Sequence, residues 1–207
     1  MTLLEINTLV DKLVKKGIYP ADSSGLCFST AFSIQVFLHV HQIETTLNVG
    51  KFNGQDHFWL MLNGQEDVII DATLTQFDDA QPHVYIGPRS SNPITSQYKE
   101  CQLDLVGWHA VYDRWRELIL KRPDAIPRSN AFEHKAIVHI LSIGAAVLAE
   151  YETRQADLSF ANSPLLSLYF DPIFTGLNNI WVSREDILSE LRKNSPDIQE
   201  LIDAAAG

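Results

Sequence analysis

Three residues suited to nucleophilic catalysis lie between Gly25 and Phe77, each on a different predicted element. Cys27 stands at the start of a helical pattern, His57 opens an apolar strand, and Asp71 ends the next strand. A thiolate can attack a carbonyl carbon, a neighbouring imidazole can take and return the proton, and a carboxylate behind the ring fixes its tautomer. The order and placement of these residues therefore predict a Cys-His-Asp triad.

The Cys27 helix is predicted from about Gly25 to His41, where apolar residues recur at spacings of three and four. Ser23 or Ser24 would cap its N-terminus. Cys27 would then lie in the first turn, where unpaired backbone N–H groups and the helix dipole stabilise a thiolate.

His57 and Asp71 are expected on a small antiparallel sheet with strands at about 45–49, 58–62 and 68–70. Asn63-Gly64 is a hairpin signal between the last two strands. A three-residue loop there would pair His57 directly with Asp71, whereas a two-residue turn would place them on opposite faces unless a bulge intervened. The triad thus requires a connection of odd length, or a bulge.

The remaining pattern predicts a mixed α+β protein. One helix is expected over 3–17, and a loop over 78–105 contains a short strand at 83–86. Further helices are predicted over 108–122 and 131–151, and a C-terminal pair over 184–193 and 196–204. We expect residues 1–105 to form the core and 106–207 a helical extension packed on it as one compact domain.

A resemblance to a known family supports the prediction of a triad. The run DHFWLMLNGQEDVIIDATLTQF, with the Cys-bearing helix before it, resembles the transglutaminase-like branch of the papain-like cysteine protease superfamily over residues 19–77. The resemblance implies a Cys-bearing helix packed on an antiparallel sheet, with Cys27 as nucleophile, His57 as general base and Asp71 as the orienting acid. It also implies attack on an amide or ester carbonyl and a thioester acyl-enzyme, without a cofactor.

The family includes peptidases, deamidases, transglutaminases and bacterial effectors, so the expected substrate is a peptide or protein amide. The same residue order resembles arylamine N-acetyltransferases, which use acetyl-CoA, but the Arg-Gly-Gly run before the Cys is missing here. A third alternative is a binding or regulatory protein on the same fold with a buried, inert Cys27.

Other site residues remain candidates. Gln55, Gln76 and Tyr19 could complete the oxyanion hole with the Cys27 backbone N–H. Trp59 and Phe77 flank the triad and would line an acyl pocket or pack in the core. The sequence contains no metal-ligand spacing and no calcium-loop pattern.

Composition restricts the partners and the compartment. With 16 basic and 26 acidic residues, a net charge of -10 and no long basic run, the chain is a poor binder of nucleic acid or anionic membrane. The most apolar run, 136–149, is too short to span a bilayer and reads as a buried helix. Its Gly144-Ala145-Ala146 permits close helix approach or a homodimer interface.

The N-terminus lacks the uninterrupted apolar core of a signal peptide. The 2 cysteines are too few for a disulfide framework, although a single Cys27–Cys101 bridge could form and would abolish catalysis. A cytoplasmic location is expected, with a secreted effector lacking a classical signal as the alternative.

Overall fold

The structure is a computed structural model that describes residues 2–16, 25–65, 67–121, 131–154 and 163–180. The helices in this part of the chain are α1 (Leu3–Lys16), α2 (Cys27–Val40), α3 (Leu105–Leu120), α4 (Ala131–Arg154) and α5 (Pro164–Ile180). The strands in the same described ranges are β1 (Thr45–Phe52), β2 (Gln55–Leu62), β3 (Val68–Asp71), β4 (Tyr85–Pro88) and β5 (Lys99–Cys101). The protein is therefore α+β, as predicted.

The five strands form one sheet in the order β4-β3-β2-β1-β5, and every neighbouring pair is antiparallel. β1 and β2 form a hairpin whose last pair is Phe52 with Gln55. The turn between them is Asn53-Gly54, and both residues have positive φ, at 50° and 81°. These angles match the two-residue turn that Asn-Gly favours. The hairpin places His57 near the start of β2.

The connection between β2 and β3 is longer than the two-residue turn and the three-residue loop that the sequence left open. It comprises residues 63–67, because β2 ends at Leu62 and β3 begins at Val68. Gly64 and Asp67 adopt positive φ there, at 79° and 65°. The Asn63-Gly64 signal thus lies in a wider turn than either connection considered from the sequence.

The connection has the odd length that the triad requires, with a consequence for the pairing of its residues. Leu60 pairs with Ile70 in the β2–β3 ladder. In this register Trp59, and not His57, stands opposite Asp71. Because side chains alternate between faces, His57 and Asp71 still share one face of the sheet as diagonal neighbours.

The helix that bears the cysteine begins later than predicted. Cys27 is its first residue, and the preceding Leu26 makes no side-chain capping hydrogen bond. The predicted caps Ser23 and Ser24 lie outside the described residues. Cys27 is therefore in the first turn, as expected.

Two elements were not predicted from the sequence. β5 is a three-residue strand, so Cys101, expected near a loop, lies in the sheet opposite Val49. α5 fills part of the interval before the predicted C-terminal helices and contains Pro172. Those helices, 184–193 and 196–204, lie outside the described residues.

The chain divides into two compact units. The first comprises Met1–Val14 with Ala21–Trp108, and the second comprises Lys15–Pro20 with His109–Gly207. The sheet, α2 and all three predicted triad residues belong to the first unit.

In the second unit α4 packs closely on α5. Gly144 permits this, because a Cβ there would come within 2.7 Å of the Ile173 side chain. The close approach expected of this small-residue segment is therefore made within the chain. The segment Ala136–Arg154 is long and apolar enough to cross a membrane by length and composition, and 72% of its apolar window is buried within the structure, which is compatible with a core helix.

Candidate active site

His57 and Asp71 form a short, fully buried hydrogen bond. Nε2 of His57 lies 2.6 Å from Oδ2 of Asp71, and the two side chains are 0% exposed. Such a contact between an imidazole and a carboxylate is a charge-assisted hydrogen bond, which is stronger than one between neutral groups. Since Nε2 is occupied, Nδ1 is the nitrogen left for chemistry.

Asp71 accepts hydrogen bonds at both oxygens. The Thr73 backbone N–H and hydroxyl donate to Oδ1 at 2.9 and 3.1 Å. The Tyr98 hydroxyl donates to Oδ2 at 2.6 Å, beside His57. Burial disfavours the charged carboxylate, yet the charge and hydrogen bond of His57, with the Tyr98 and Thr73 donors, hold the pKa of Asp71 below its usual range. Asp71 therefore remains an anion behind the ring.

Cys27 interacts with the same imidazole from the first turn of α2. A hydrogen bond with Cys27, and the charge that this side chain carries when it is ionised, both favour the protonated form of His57. Cys27 and Cys101 are both free thiols, so the disulfide considered from the sequence is absent. Cys27 is 7% exposed. The three residues predicted to act together are thus adjacent in the structure.

The ionisation of His57 is strongly perturbed. Burial opposes the charged ring, but the charge and hydrogen bond of Asp71, followed by the interaction with Cys27, raise the pKa of His57 to about 9. The ring is therefore protonated at neutral pH. A buried imidazolium next to a thiol and a carboxylate is the charge arrangement that stabilises a thiolate.

Aromatic rings enclose the imidazole. The His57 ring lies 4.9 Å from Phe77, 5.0 Å from Tyr98 and 6.1 Å from Trp59, between ring centroids. Gly50 lets Trp59 approach, because a Cβ there would lie 2.6 Å from the indole. These contacts restrict the ring to one orientation.

Of the two proposed pocket residues, Trp59 is 0% exposed and belongs to a core cluster of six buried residues. Phe77 is partly buried and packs against that cluster. Trp59 can thus affect a substrate only through its neighbours, whereas Phe77 retains an accessible surface.

The three oxyanion candidates fall in different places. Gln76 lies at the end of a short 3-10 helix, with Nε2 at 2.9 Å from Nδ1 of His57. Gln55, at the start of β2, is exposed, and Tyr19 lies outside the described residues. Gln76 is thus the candidate that the structure brings to the imidazole.

The Gln76 contact depends on the charge of the ring. A neutral ring carrying its proton on Nε2 accepts from the Gln76 amide at Nδ1. A protonated ring donates at both nitrogens, so Gln76 must then present its carbonyl oxygen or leave Nδ1 to the thiolate.

Tyr98 was missed from the sequence. It lies 27 positions from Asp71, between a short 3-10 helix and β5, and no local motif links the two residues. Arg89 holds this segment by donating to the Thr95 carbonyl at 3.2 Å and to the Tyr98 carbonyl. The predicted loop over 78–105 therefore supplies a residue of the site.

Within the described ranges, no group of three His, Cys, Asp or Glu side chains is placed to hold a metal ion. No protein-family model, curated protein or solved structure matches the chain.

Proposed function

We propose that the protein is a thiol-dependent hydrolase or acyltransferase that acts on amide bonds through Cys27, His57 and Asp71. The observation that carries the proposal is the buried 2.6 Å contact between His57 and Asp71, together with the hydrogen bond between His57 and Cys27. A papain-like or transglutaminase-like core would place a helix-borne cysteine and two strand-borne partners in this relation.

The first half of the reaction forms a thioester. The Cys27 thiolate attacks the carbonyl carbon of the amide and forms a C–S bond, while the imidazolium holds its proton on Nδ1. That proton passes to the leaving nitrogen, the C–N bond breaks, and an amine or ammonia departs. His57 is then neutral, and its remaining proton stays on Nε2 in the hydrogen bond to Asp71.

The second half resolves the thioester. Water or a primary amine attacks the acyl carbon and gives its proton to Nδ1 of His57, and the C–S bond breaks to restore the thiolate. Water yields a carboxylic acid and an amine yields a new amide. The backbone N–H of Cys27 and the Gln76 amide are proposed to stabilise the oxyanion in both halves.

The second candidate is a binding or regulatory protein with an inert thiol. It is favoured by the burial of the site, since Cys27 is 7% exposed and His57 is 0% exposed. Gln76 and Phe77, which contact His57, are only partly buried, so the surroundings of the imidazole are not closed on every side.

The experiment that tests the proposal is acylation by an activated ester. Wild-type protein and the variants Cys27→Ala and Cys101→Ala are mixed with 4-nitrophenyl acetate, and nitrophenol release and intact mass are followed. We expect a burst and a single acyl adduct on Cys27, unchanged in Cys101→Ala and absent in Cys27→Ala. Equal acylation of the two cysteines, or none, would favour the inert alternative.

The nature of the acyl acceptor is measured next with a glutamine-containing peptide. Ammonia release with and without an added primary amine separates hydrolysis from transfer. Product formation at the wild-type rate in Cys27→Ala would remove Cys27 from the mechanism.

A further inference from the structure

The carboxylate behind His57 is shared by two strong donors. Oδ2 of Asp71 receives the Tyr98 hydroxyl at 2.6 Å and Nε2 of His57 at 2.6 Å. The other oxygen is occupied by both donors of Thr73. Tyr98 is 3% exposed, so its hydroxyl does not exchange this partner freely for water. The two donors therefore compete for the charge of one oxygen.

We propose that Tyr98 is a positioning residue of the proposed acyl-transfer site: its hydroxyl holds the Asp71 carboxylate toward His57 and moderates how strongly Oδ2 attracts the imidazole proton. The inference rests on the proposed function for its catalytic meaning. Its physical content, the effect of Tyr98 on His57, is separate and is measured separately.

The phenol is suited to this role because it stays protonated. Burial, and after it the charge and hydrogen bond of Asp71, raise the pKa of Tyr98. Cys27 acts in the same direction and Arg89 in the opposite one. Tyr98 thus remains a donor across the pH range in which His57 titrates, and it never adds a negative charge to the site.

The Tyr98 ring is fixed by its surroundings. It packs 4.7 Å from Trp59 and 6.0 Å from Phe52, between ring centroids. Its backbone carbonyl accepts from Arg89, which also forms an ion pair with Glu100. A donor held on both the ring side and the backbone side can impose an orientation on the carboxylate that it contacts.

Loss of the hydroxyl has a predictable direction. In Tyr98→Phe, Oδ2 has His57 as its only described donor, so it attracts the imidazole proton more strongly. We expect the pKa of His57 to rise by about half a unit, a roughly threefold change in proton affinity. A stronger donor at the same place should lower it. Replacement of Tyr98 by 3-fluorotyrosine, a more acidic phenol, provides that opposite perturbation and retains the ring.

The matched control is Tyr85→Phe. Tyr85 packs against the same core cluster, but its hydroxyl donates to the Pro88 carbonyl at 2.6 Å and not to Asp71. The same atom is removed beside the same core cluster without a change in the donors to Asp71. A general effect of losing a tyrosine hydroxyl would appear in both variants.

The experiment is an NMR titration of the His57 ring, assigned with His57→Gln, in the wild type and the three Tyr variants. An upward shift in Tyr98→Phe, a downward shift with 3-fluorotyrosine and no change in Tyr85→Phe support the inference. An unchanged or lowered value in Tyr98→Phe, or equal shifts in both Phe variants, would overturn it. If Tyr98→Phe does not fold, the fluorotyrosine protein decides: no shift or an upward shift overturns the inference.

Alkylation of Cys27 by iodoacetamide in the same wild-type sample tests the proposed function independently. If Cys27 is inert, Tyr98 has no role in catalysis, and the titration still decides whether Tyr98 affects the pKa of His57.

Discussion

Replacement of Asp71 by Asn tests the charge behind the imidazole without a change of shape. The Asn oxygen can still accept from Thr73, which donates to Oδ1 of Asp71 at 2.9 and 3.1 Å. The amide nitrogen would then face the two groups that now donate to Oδ2, His57 and Tyr98. His57 satisfies this amide by accepting at Nε2, which places its own proton on Nδ1 and removes the base from the thiol.

The magnitude follows from the pKa of His57, which is raised to about 9 chiefly by Asp71 against the opposing effect of burial. Without the carboxylate, the effect that most strongly raises the pKa of His57 is lost while burial still lowers it. The ring should then be neutral above about pH 6.5. An unassisted thiol with a pKa near 8.5 is about 1% ionised at pH 6.5. A thiolate that is fully held by an imidazolium would therefore react about a hundredfold faster than the variant.

The assay is iodoacetamide alkylation at pH 6.5, quantified at Cys27 by peptide mass spectrometry with Cys101 as the internal reference. Asp56→Asn is the matched control, because Asp56 is an exposed carboxylate next to His57 in sequence. We expect the hundredfold loss in Asp71→Asn and none in Asp56→Asn, with both variants folded by circular dichroism. An Asp71→Asn rate within about twofold of the wild type would refute the reasoning.

Three further outcomes follow from the same geometry. Because the pKa of His57 is raised from 6.5 to about 9, the protonated ring adds about 3 kcal/mol to the free energy of unfolding below pH 6.5, and this is lost as pH rises through 9. Urea unfolding between pH 6 and 10 should show this decline, and His57→Gln should abolish it. Gly50→Ala should lower stability by about 1–3 kcal/mol, because its Cβ would lie 2.4 Å from the Lys99 carbonyl oxygen; an unchanged melting temperature would contradict the close packing. Gln76→Ala should leave Cys27 alkylation intact but slow acyl turnover by about 10²–10³, since only turnover forms an oxyanion; equal effects on both rates would exclude that role.

The core of the candidate site was predictable because its residues mark the ends of elements. Cys27 opens a helix, His57 lies near the start of a strand and Asp71 ends one, and each position follows from apolar periodicity. The shared face of His57 and Asp71 depends only on an odd number of connecting residues, so it holds for the five residues of the structure as it would for three. The diagonal register could not be predicted, because Asn53-Gly54 and Asn63-Gly64 carry the same local signal and form different turns.

The parts that escaped prediction depend on contacts distant in sequence. Tyr98 contacts Asp71 although β4 and two short 3-10 helices lie between them in the chain. β5 has three residues and pairs with β1. This pairing could not be predicted because so short a segment has no recognisable strand pattern of its own. Pro172 lies inside α5, and a proline argues against a helix when only the local sequence is considered. The helix forms nonetheless, in contact with α4.

The most direct test of the central claim is the pH dependence of iodoacetamide labelling at Cys27 in the wild type and in His57→Ala, with Cys101 measured in the same digests. We expect fast labelling of Cys27 at about pH 6 to 7 that disappears without His57, while Cys101 labels slowly in both proteins. Labelling of Cys27 no faster than that of Cys101, or equally fast without His57, would contradict a thiolate–imidazolium pair.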